Sequence, residues 1–168
     1  AGKTSYISDC IMNDFFHKYG KTLVLCFERG KEEYDTEALL ERNTYIAYYD
    51  GQEETEAFCR AGIAAYRPDR IYAEMSAKLP DARKHFPDMM NVTSTVTLIE
   101  WETMDWYTAY FTQQVSQMVS ESQQITFRGC PSKELLAPYS RQFRLMNSKA
   151  SYLRQDPMGD RKSTRLNS

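Results

Sequence analysis

The sequence has little net charge and no long apolar segment. Its 21 basic residues nearly balance its 23 acidic residues, which gives a formal net charge of −2 at pH 7. A chain of this balance has no global positive field to attract nucleic acid or an anionic membrane surface. No apolar run approaches the roughly 20 residues that span a bilayer as a helix. We therefore predict a protein without nucleic-acid or membrane partners.

Closely paired cysteines are also missing. The four cysteines, Cys10, Cys26, Cys59 and Cys130, form no C-x-x-C motif, and no secretory signal precedes them. We therefore expect free thiols and a cytoplasmic protein. Cys26 and Cys130 allow two interpretations, because a cysteine is either a soft metal ligand or, more commonly, a small buried apolar residue. The two histidines, His17 and His85, lack the spacing of a ligand pair.

The remaining pattern alternates between strand-like and helix-like segments. We predict strands at residues 22–27, 44–49, 70–75, 92–99, 124–127 and 151–154, and helices at 3–19, 36–41, 53–66, 102–120 and 132–149. Strands alternating with helices of this length are typical of right-handed βαβ units around a mostly parallel sheet. The prediction is a single three-layer α/β domain over residues 1–159.

The last nine residues stand apart from this pattern. Residues 160–168 (DRKSTRLNS) match an in-frame translation of a common short-read sequencing adapter, and a native polar tail is the alternative. We exclude this segment from the fold prediction, as a non-native addition.

One phosphate-binding signal lies at the start of the chain. Gly2-Lys3-Thr4, preceded by Ala1 and followed by Ser5 and a predicted helix, matches the second half of the G-x-x-x-x-G-K-S/T loop. In that loop the backbone N–H groups and the helix N-terminus hold phosphates, the lysine reaches the β- and γ-phosphates, and the hydroxyl binds Mg²⁺. The alternative is an ordinary helix start with a solvated lysine and a threonine cap.

Further segments follow in a recognisable order. An acidic loop, residues 26–35 (CFERGKEEYD), follows the first predicted strand, and Pro68-Asp69-Arg70 leads into residues 71–74, near the end of the third predicted strand. The late helical segment carries five residues at characteristic spacing: Tyr139, Arg141, Arg144, Asn147 and Ala150. In this order the chain resembles the CobW/HypB/UreG class of P-loop GTPases, nearest to a CobW-like subgroup without the C-x-C-C motif. The resemblance covers nearly everything before residue 160.

This resemblance implies a fold and an activity. The fold is a P-loop NTPase-like domain whose first strand is missing here, so that the chain is a fragment truncated at both ends. The implied activity is binding of GTP with Mg²⁺ and slow hydrolysis, tied in CobW-like proteins to metal-cofactor handling with a metalloprotein client.

The same resemblance implies roles for individual residues. Gly2, Lys3, Thr4 and Ser5 would bind the nucleotide phosphates, and Thr4 and Glu74 would hold Mg²⁺. Lys3 and Glu28 are the candidate catalytic residues. Asn147 is a candidate for the base pocket, and its alternative is a helix C-terminal asparagine.

The acidic loop has two interpretations of its own. Its carboxylates could act as a switch that senses the γ-phosphate or the attacking water: Glu28, Glu32, Glu33 and Asp35. A run of acidic residues is equally typical of a solvated loop. A solvent-facing strand end is likewise the alternative for Glu74.

Three departures from the family pattern limit the implied function. The E-x-x-G motif reads Glu74-Met75-Ser76-Ala77, so alanine replaces a glycine that turns a backbone N–H toward the γ-phosphate. The base-recognition motif reads Arg128-Gly129-Cys130, without the asparagine and aspartate that select guanine. The C-x-C-C metal motif is absent. Two further hypotheses therefore stay open: a degenerate P-loop domain that serves as an interaction module, and an ATP-dependent enzyme of the same fold.

Overall fold

The computed structural model describes residues 2–76, 81–156 and 164–165, and the chain divides into two compact units. The first unit is Ala1–Asn91 and the second is Val92–Ser168. Each unit contains a small sheet that is mainly parallel, which confirms the α/β class. The single domain over residues 1–159 stays a prediction. Ala77 and most of the segment 160–168 lie outside the described residues.

The first unit is a three-stranded parallel sheet with helices on both faces. Its helices are α1 (Lys3–Met12), α2 (Thr36–Glu41) and α3 (Thr55–Tyr66), and its strands are β1 (Thr22–Cys26), β2 (Thr44–Tyr48) and β3 (Arg70–Glu74). The strand order is β2-β1-β3, and both pairings are parallel. Every residue of the central strand β1 is buried, as expected for a strand that is covered on both faces.

Alternate residues of β1 pack into two different hydrophobic clusters. Val24 and Cys26 contact the cluster that contains Ile7 and Ile11 of α1, together with Leu39 of α2. Leu23 and Leu25 face the opposite cluster, which includes residues of α3. Helix α3 lies close to the sheet at Gly62, where an added Cβ would be 3.3 Å from both Leu23 Cδ2 and Leu25 Cδ2.

Helix α1 is shorter than the predicted helix over residues 3–19. It ends at Met12, and a separate 3₁₀ helix spans Phe15–Lys18. Asp14 causes the break, because its extended backbone and side-chain bond to the Phe16 N–H start a new helix. The same carboxylate pairs with Arg70 at the start of β3, and the Arg70 guanidinium lies 3.8 Å from the centre of the Phe16 ring.

The second unit has helices against one face of its sheet. Its elements are β4 (Val96–Glu100), α4 (Met104–Tyr110), α5 (Thr112–Glu121), β5 (Gln124–Arg128), α6 (Lys133–Met146), β6 (Ser151–Gln155) and β7 (Thr164–Arg165). The order is β4-β5-β6-β7, and only β7 is antiparallel to its neighbour. Phe127 of β5 stacks on Phe143 of α6, with ring centres 5.7 Å apart, in the core of this unit.

Two sequence predictions are corrected in the second unit. Strand β4 begins at Val96, so the predicted start at residue 92 is wrong. The helix predicted over residues 102–120 is divided at Phe111, whose φ of −127° and ψ of 37° are not helical. Within the described ranges, no helix is both long enough and apolar enough to cross a membrane.

Candidate functional site

The candidate site lies where the carboxyl ends of the first unit's strands meet the N-terminus of α1. Tyr48, Cys26 and Glu74 are the last residues of β2, β1 and β3, and they are in register across the sheet. Thr4, in the first turn of α1, contacts Glu74. Ligand sites of open parallel sheets form at this edge, because the loops that follow the strands converge there.

Glu74 is a buried carboxylate held by hydroxyl groups. Glu74 is only 3% exposed to solvent. The Thr4 hydroxyl donates to Oε1 at 3.1 Å, the Tyr34 hydroxyl donates to Oε2, and Cys26 Sγ lies 4.0 Å from Oε2. Among the described residues, no lysine, arginine or histidine forms an ion pair with Glu74. A buried carboxylate without a countercharge is costly to fold, and it is a strong acceptor for a cation.

Lys3 is paired with the acidic loop. Its Nζ lies 2.8 Å from Glu28 Oε2, and both side chains are 29% exposed. Glu28 itself is fixed near the sheet edge, because its carbonyl accepts a hydrogen bond from Cys26 Sγ at 3.2 Å. The structure thus brings together the two residues that the sequence suggested as catalytic.

The start of α1 has the properties of an anion site. Gly2 has a φ of 77°, in the left-handed region that favours glycine, and the helix N-terminus has no side-chain cap. The Ser5 hydroxyl turns back to the Gly2 carbonyl at 3.3 Å. The first N–H groups of a helix lack intrahelical acceptors, so this end attracts phosphate or carboxylate groups.

A pocket of about 210 Å³ opens beside these groups. It is lined by Thr4, Cys26, Tyr48 and much of the acidic loop, including Glu32 and Glu33. Pockets that enclose whole organic ligands are about 300–1,000 Å³, so this one is smaller, and its three glutamates with the single cation Arg29 favour a cation over a phosphate. Asp35, the fourth acidic candidate, instead caps α2 by accepting from the Ala38 N–H at 3.1 Å.

The phenol and thiol groups at this edge of the sheet stay protonated at neutral pH. Burial, followed by the hydrogen bond to Glu74, raises the pKa of Tyr34 well above its ordinary value. Burial and then the charge of Glu74 raise the pKa of the Cys26 thiol, and burial raises the pKa of Tyr48. Tyr34 is therefore a firm hydrogen-bond donor to the carboxylate.

Sequence reasoning did not identify Tyr34 as a site residue. A usable signal was present, because Tyr34 is the one aromatic residue within a strongly charged stretch, residues 28–35. In the structure it is 6% exposed and belongs to the cluster that contains Ile7 and Cys26.

The donor set fits Mg²⁺ and does not resemble a closed metal site. In the ranges 2–76 and 81–156, no group of three or more His, Cys, Asp or Glu residues is arranged to hold a metal. Thr4 and Glu74 could supply one hydroxyl and one carboxylate. Mg²⁺ commonly accepts one or two protein oxygens and completes its shell with water and substrate phosphates.

The remaining predicted site residues belong to the second unit. Asn147 donates to the carbonyls of Val119 and Ser122, both at 2.8 Å, and its Oδ1 accepts from the Lys149 and Ala150 N–H groups at 3.2 and 3.1 Å. Its amide thus holds the turn after α6 against the end of α5. Its role in a base pocket stays a prediction.

Arg128 lies at the carboxyl end of the second sheet. Its Nε donates to Gln155 at 3.0 Å, and its Nη1 lies 3.7 Å from a Glu100 carboxylate oxygen. Cys130 is fully buried in the core of this unit. A free thiol at this position packs as a small apolar residue, which favours that interpretation over a metal ligand.

Comparison with models of protein families, with curated proteins and with solved structures finds no match to this chain. The CobW-like resemblance therefore rests on the motifs quoted above and stays a prediction.

Proposed function

We propose that the chain is a P-loop NTPase domain of the CobW-like kind, which binds GTP with Mg²⁺ and hydrolyses it slowly. One observation carries the proposal. Glu74 is a buried carboxylate that has no cationic partner among the described residues, and it contacts the Thr4 hydroxyl at the uncapped start of α1. A cation site and an anion site are thus adjacent, which is the requirement for a metal-bound triphosphate.

Each residue has a defined task in this proposal. Lys3 and the N–H groups at the start of α1 bind the β- and γ-phosphates, with Gly2 and Ser5 shaping the turn. Thr4 and Glu74 provide oxygen ligands for Mg²⁺, which when bound neutralises charge on the phosphates. Glu28 positions the attacking water. The water oxygen bonds to the γ-phosphorus, the bond from that phosphorus to the bridging oxygen breaks, and GDP and phosphate are released.

The guanine base and the metal-handling role come from the resemblance alone. A metalloprotein client that receives a metal cofactor is the partner that the CobW-like pattern implies. Arg128, in place of the asparagine of the family's base motif, leaves ATP as the alternative nucleotide.

Equilibrium binding of labelled GTP and ATP to the full-length protein, with and without Mg²⁺, tests the proposal. We expect Mg²⁺-dependent GTP binding, with phosphate release at a slow rate. Lys3→Ala should weaken binding about 10- to 100-fold, because a charged contact to the phosphates is lost. Lys31→Ala, which removes an equal charge from the acidic loop, is the matched control. Absence of binding to both nucleotides would overturn the NTPase proposal, and preference for ATP would overturn the guanine assignment alone.

A second function is supported by a different surface. In the second unit, Trp106, Tyr107, Tyr110 and Phe111 are between 36% and 72% exposed and contact one another. An exposed aromatic patch of this kind is typical of protein-interaction surfaces. This favours, as the second candidate, a degenerate P-loop domain that serves as an interaction module. The binding measurement above separates the two, because such a module would retain its fold without Mg²⁺-dependent nucleotide binding.

A further inference from the structure

One loop of the first unit contacts both parts of the candidate site. The loop between β1 and α2 carries Glu28, which pairs with Lys3 at 2.8 Å, and Tyr34, whose hydroxyl donates to Glu74 Oε2. Lys3 is the proposed phosphate ligand, and Glu74 is the proposed cation ligand. The protein's own side chains thus contact both the proposed phosphate ligand, Lys3, and the proposed cation ligand, Glu74.

Each contact imitates the ligand that it would exclude. The Glu28 carboxylate is an anion with oxygen acceptors, as a phosphate is, and it lies on the lysine Nζ. The Tyr34 hydroxyl places a partial positive charge against the buried Glu74 carboxylate, where a cation would otherwise interact. A cation that binds the Glu74 carboxylate draws charge from its oxygens and weakens the hydrogen bond from the Tyr34 hydroxyl, whose proton points at the same oxygen, so the two interactions compete.

We propose that Tyr34 and Glu28 are affinity-setting residues: Tyr34 competes with the divalent cation for Glu74, and Glu28 competes with phosphate for Lys3. The proposal rests on the proposed function, because it assigns competitors to the same site. Both competitors belong to one loop, so loading the site with Mg²⁺ and nucleotide releases that loop from two anchors and frees the Glu28 carboxylate to hold the attacking water. By linkage, a loop that is held in place lowers the affinity for both ligands.

Four single variants of the full-length protein separate the two competitions. Tyr34→Phe removes the hydroxyl that contacts Glu74, and Tyr45→Phe removes a hydroxyl from the opposite face of β2, outside the pocket. Glu28→Gln removes the charge on Lys3. Glu37→Gln removes an equal charge from the first turn of α2, outside the pocket.

The measured quantity is the Kd of labelled GTP, or of labelled ATP if the wild type prefers it, with Mg²⁺ and with EDTA. Tyr34→Phe should tighten binding about tenfold with Mg²⁺ and leave it unchanged in EDTA, because only the cation competes with the hydroxyl. Glu28→Gln should tighten binding about 2- to 5-fold under both conditions, because it releases an ion pair whose side chains are each 29% exposed. Each control should match the wild type.

A measurement on the wild type tests the proposal even if a variant does not fold. Amide hydrogen exchange in a peptide covering residues 27–35 should accelerate when Mg²⁺ and nucleotide are added, because both anchors of the loop are released. Weaker or unchanged Mg²⁺-dependent binding in a folded Tyr34→Phe, or slower exchange in this loop on loading, would overturn the competition. If the wild type binds neither nucleotide, the proposed function itself fails.

Discussion

Replacement of Glu74 by glutamine tests whether this carboxylate is kept for function or for stability. The side chain is 3% exposed and has no cationic partner in the part of the chain that the structure describes. A buried unpaired ion costs roughly 5 kcal/mol in desolvation. Hydrogen bonds from Thr4 and Tyr34 recover part of that cost, because a bond to a charged acceptor is worth about 1 to 1.5 kcal/mol more than a neutral one.

The net expectation is that Glu74→Gln stabilises the first unit. Glutamine avoids the desolvation cost of about 5 kcal/mol but makes weaker hydrogen bonds with Thr4 and Tyr34, because its oxygen is uncharged. The difference is a gain of about 2 kcal/mol in the free energy of unfolding when no Mg²⁺ is present. Hydrogen exchange of peptides covering β1 and β3 is the suitable assay. A gain of about 2 kcal/mol slows their exchange about 30-fold.

Addition of Mg²⁺ and GTP should make the wild type more stable than Glu74→Gln. A ligand at 100 times its Kd stabilises the wild type by about 2.7 kcal/mol, whereas the variant gains little without its cation ligand. Glu100→Gln, at the end of β4 in the second unit, is the comparison, and it should leave β1 and β3 unchanged. Faster exchange in Glu74→Gln without ligand would refute the reasoning, since Glu74 would then be a structural acceptor for Thr4 and Tyr34.

Three further outcomes follow from the packing of the two units. Asn147→Ala should lower the stability of the second unit by about 2 to 3 kcal/mol, because the side-chain amide loses its hydrogen bonds to backbone groups on both sides. The fluorescence of Trp101 and Trp106 reports unfolding of this unit in urea. An unchanged midpoint of urea unfolding would contradict the expectation. Gly62→Val should destabilise the first unit by about 1 to 3 kcal/mol, because the new side chain overlaps the sheet, and a thermal melt that matches the wild type would count against it. Burial raises the pKa of Cys59 to about 11. Between about pH 8.5 and 11 this thiol is therefore protonated in the folded state and ionised in the unfolded chain. The resulting stability is complete below about pH 8.5 and is lost as the pH rises toward 11, and Cys59→Ala should flatten that loss in urea titrations over this range.

Local patterns predicted much of the first unit. The apolar run at residues 22–27 indicated a strand covered on both faces, and β1 is buried along its whole length. Glu74 was recognised because it ends a predicted strand, and strand ends converge at one edge of a parallel sheet. Lys3 and Thr4 were recognised from the turn that starts a helix. These features depend on residues that are close in sequence.

The contacts that complete the candidate site depend on residues far apart in sequence. Tyr34 and Glu74 are 40 positions apart, and no local pattern connects them. The break after α1 had a local signal in Asp14, which caps the Phe16 N–H, whereas the pairing of Asp14 with Arg70, 56 positions away, had none. The N-cap role of Asp35 had a local signal, since an aspartate directly precedes the predicted helix at residues 36–41, but the acidic run suggested a switch instead.

The dependence of GTP affinity on Mg²⁺ in wild type and in Thr4→Val tests the central claim most directly. Valine keeps the shape of threonine and removes the hydroxyl that lies 3.1 Å from Glu74. In the full-length wild type we predict that Mg²⁺ tightens GTP binding about tenfold or more, and that Thr4→Val removes most of this effect. Ser8→Ala, one turn further along α1, should behave as the wild type. Equal GTP affinity with and without Mg²⁺ in the wild type, or full Mg²⁺ dependence in Thr4→Val, would contradict the account.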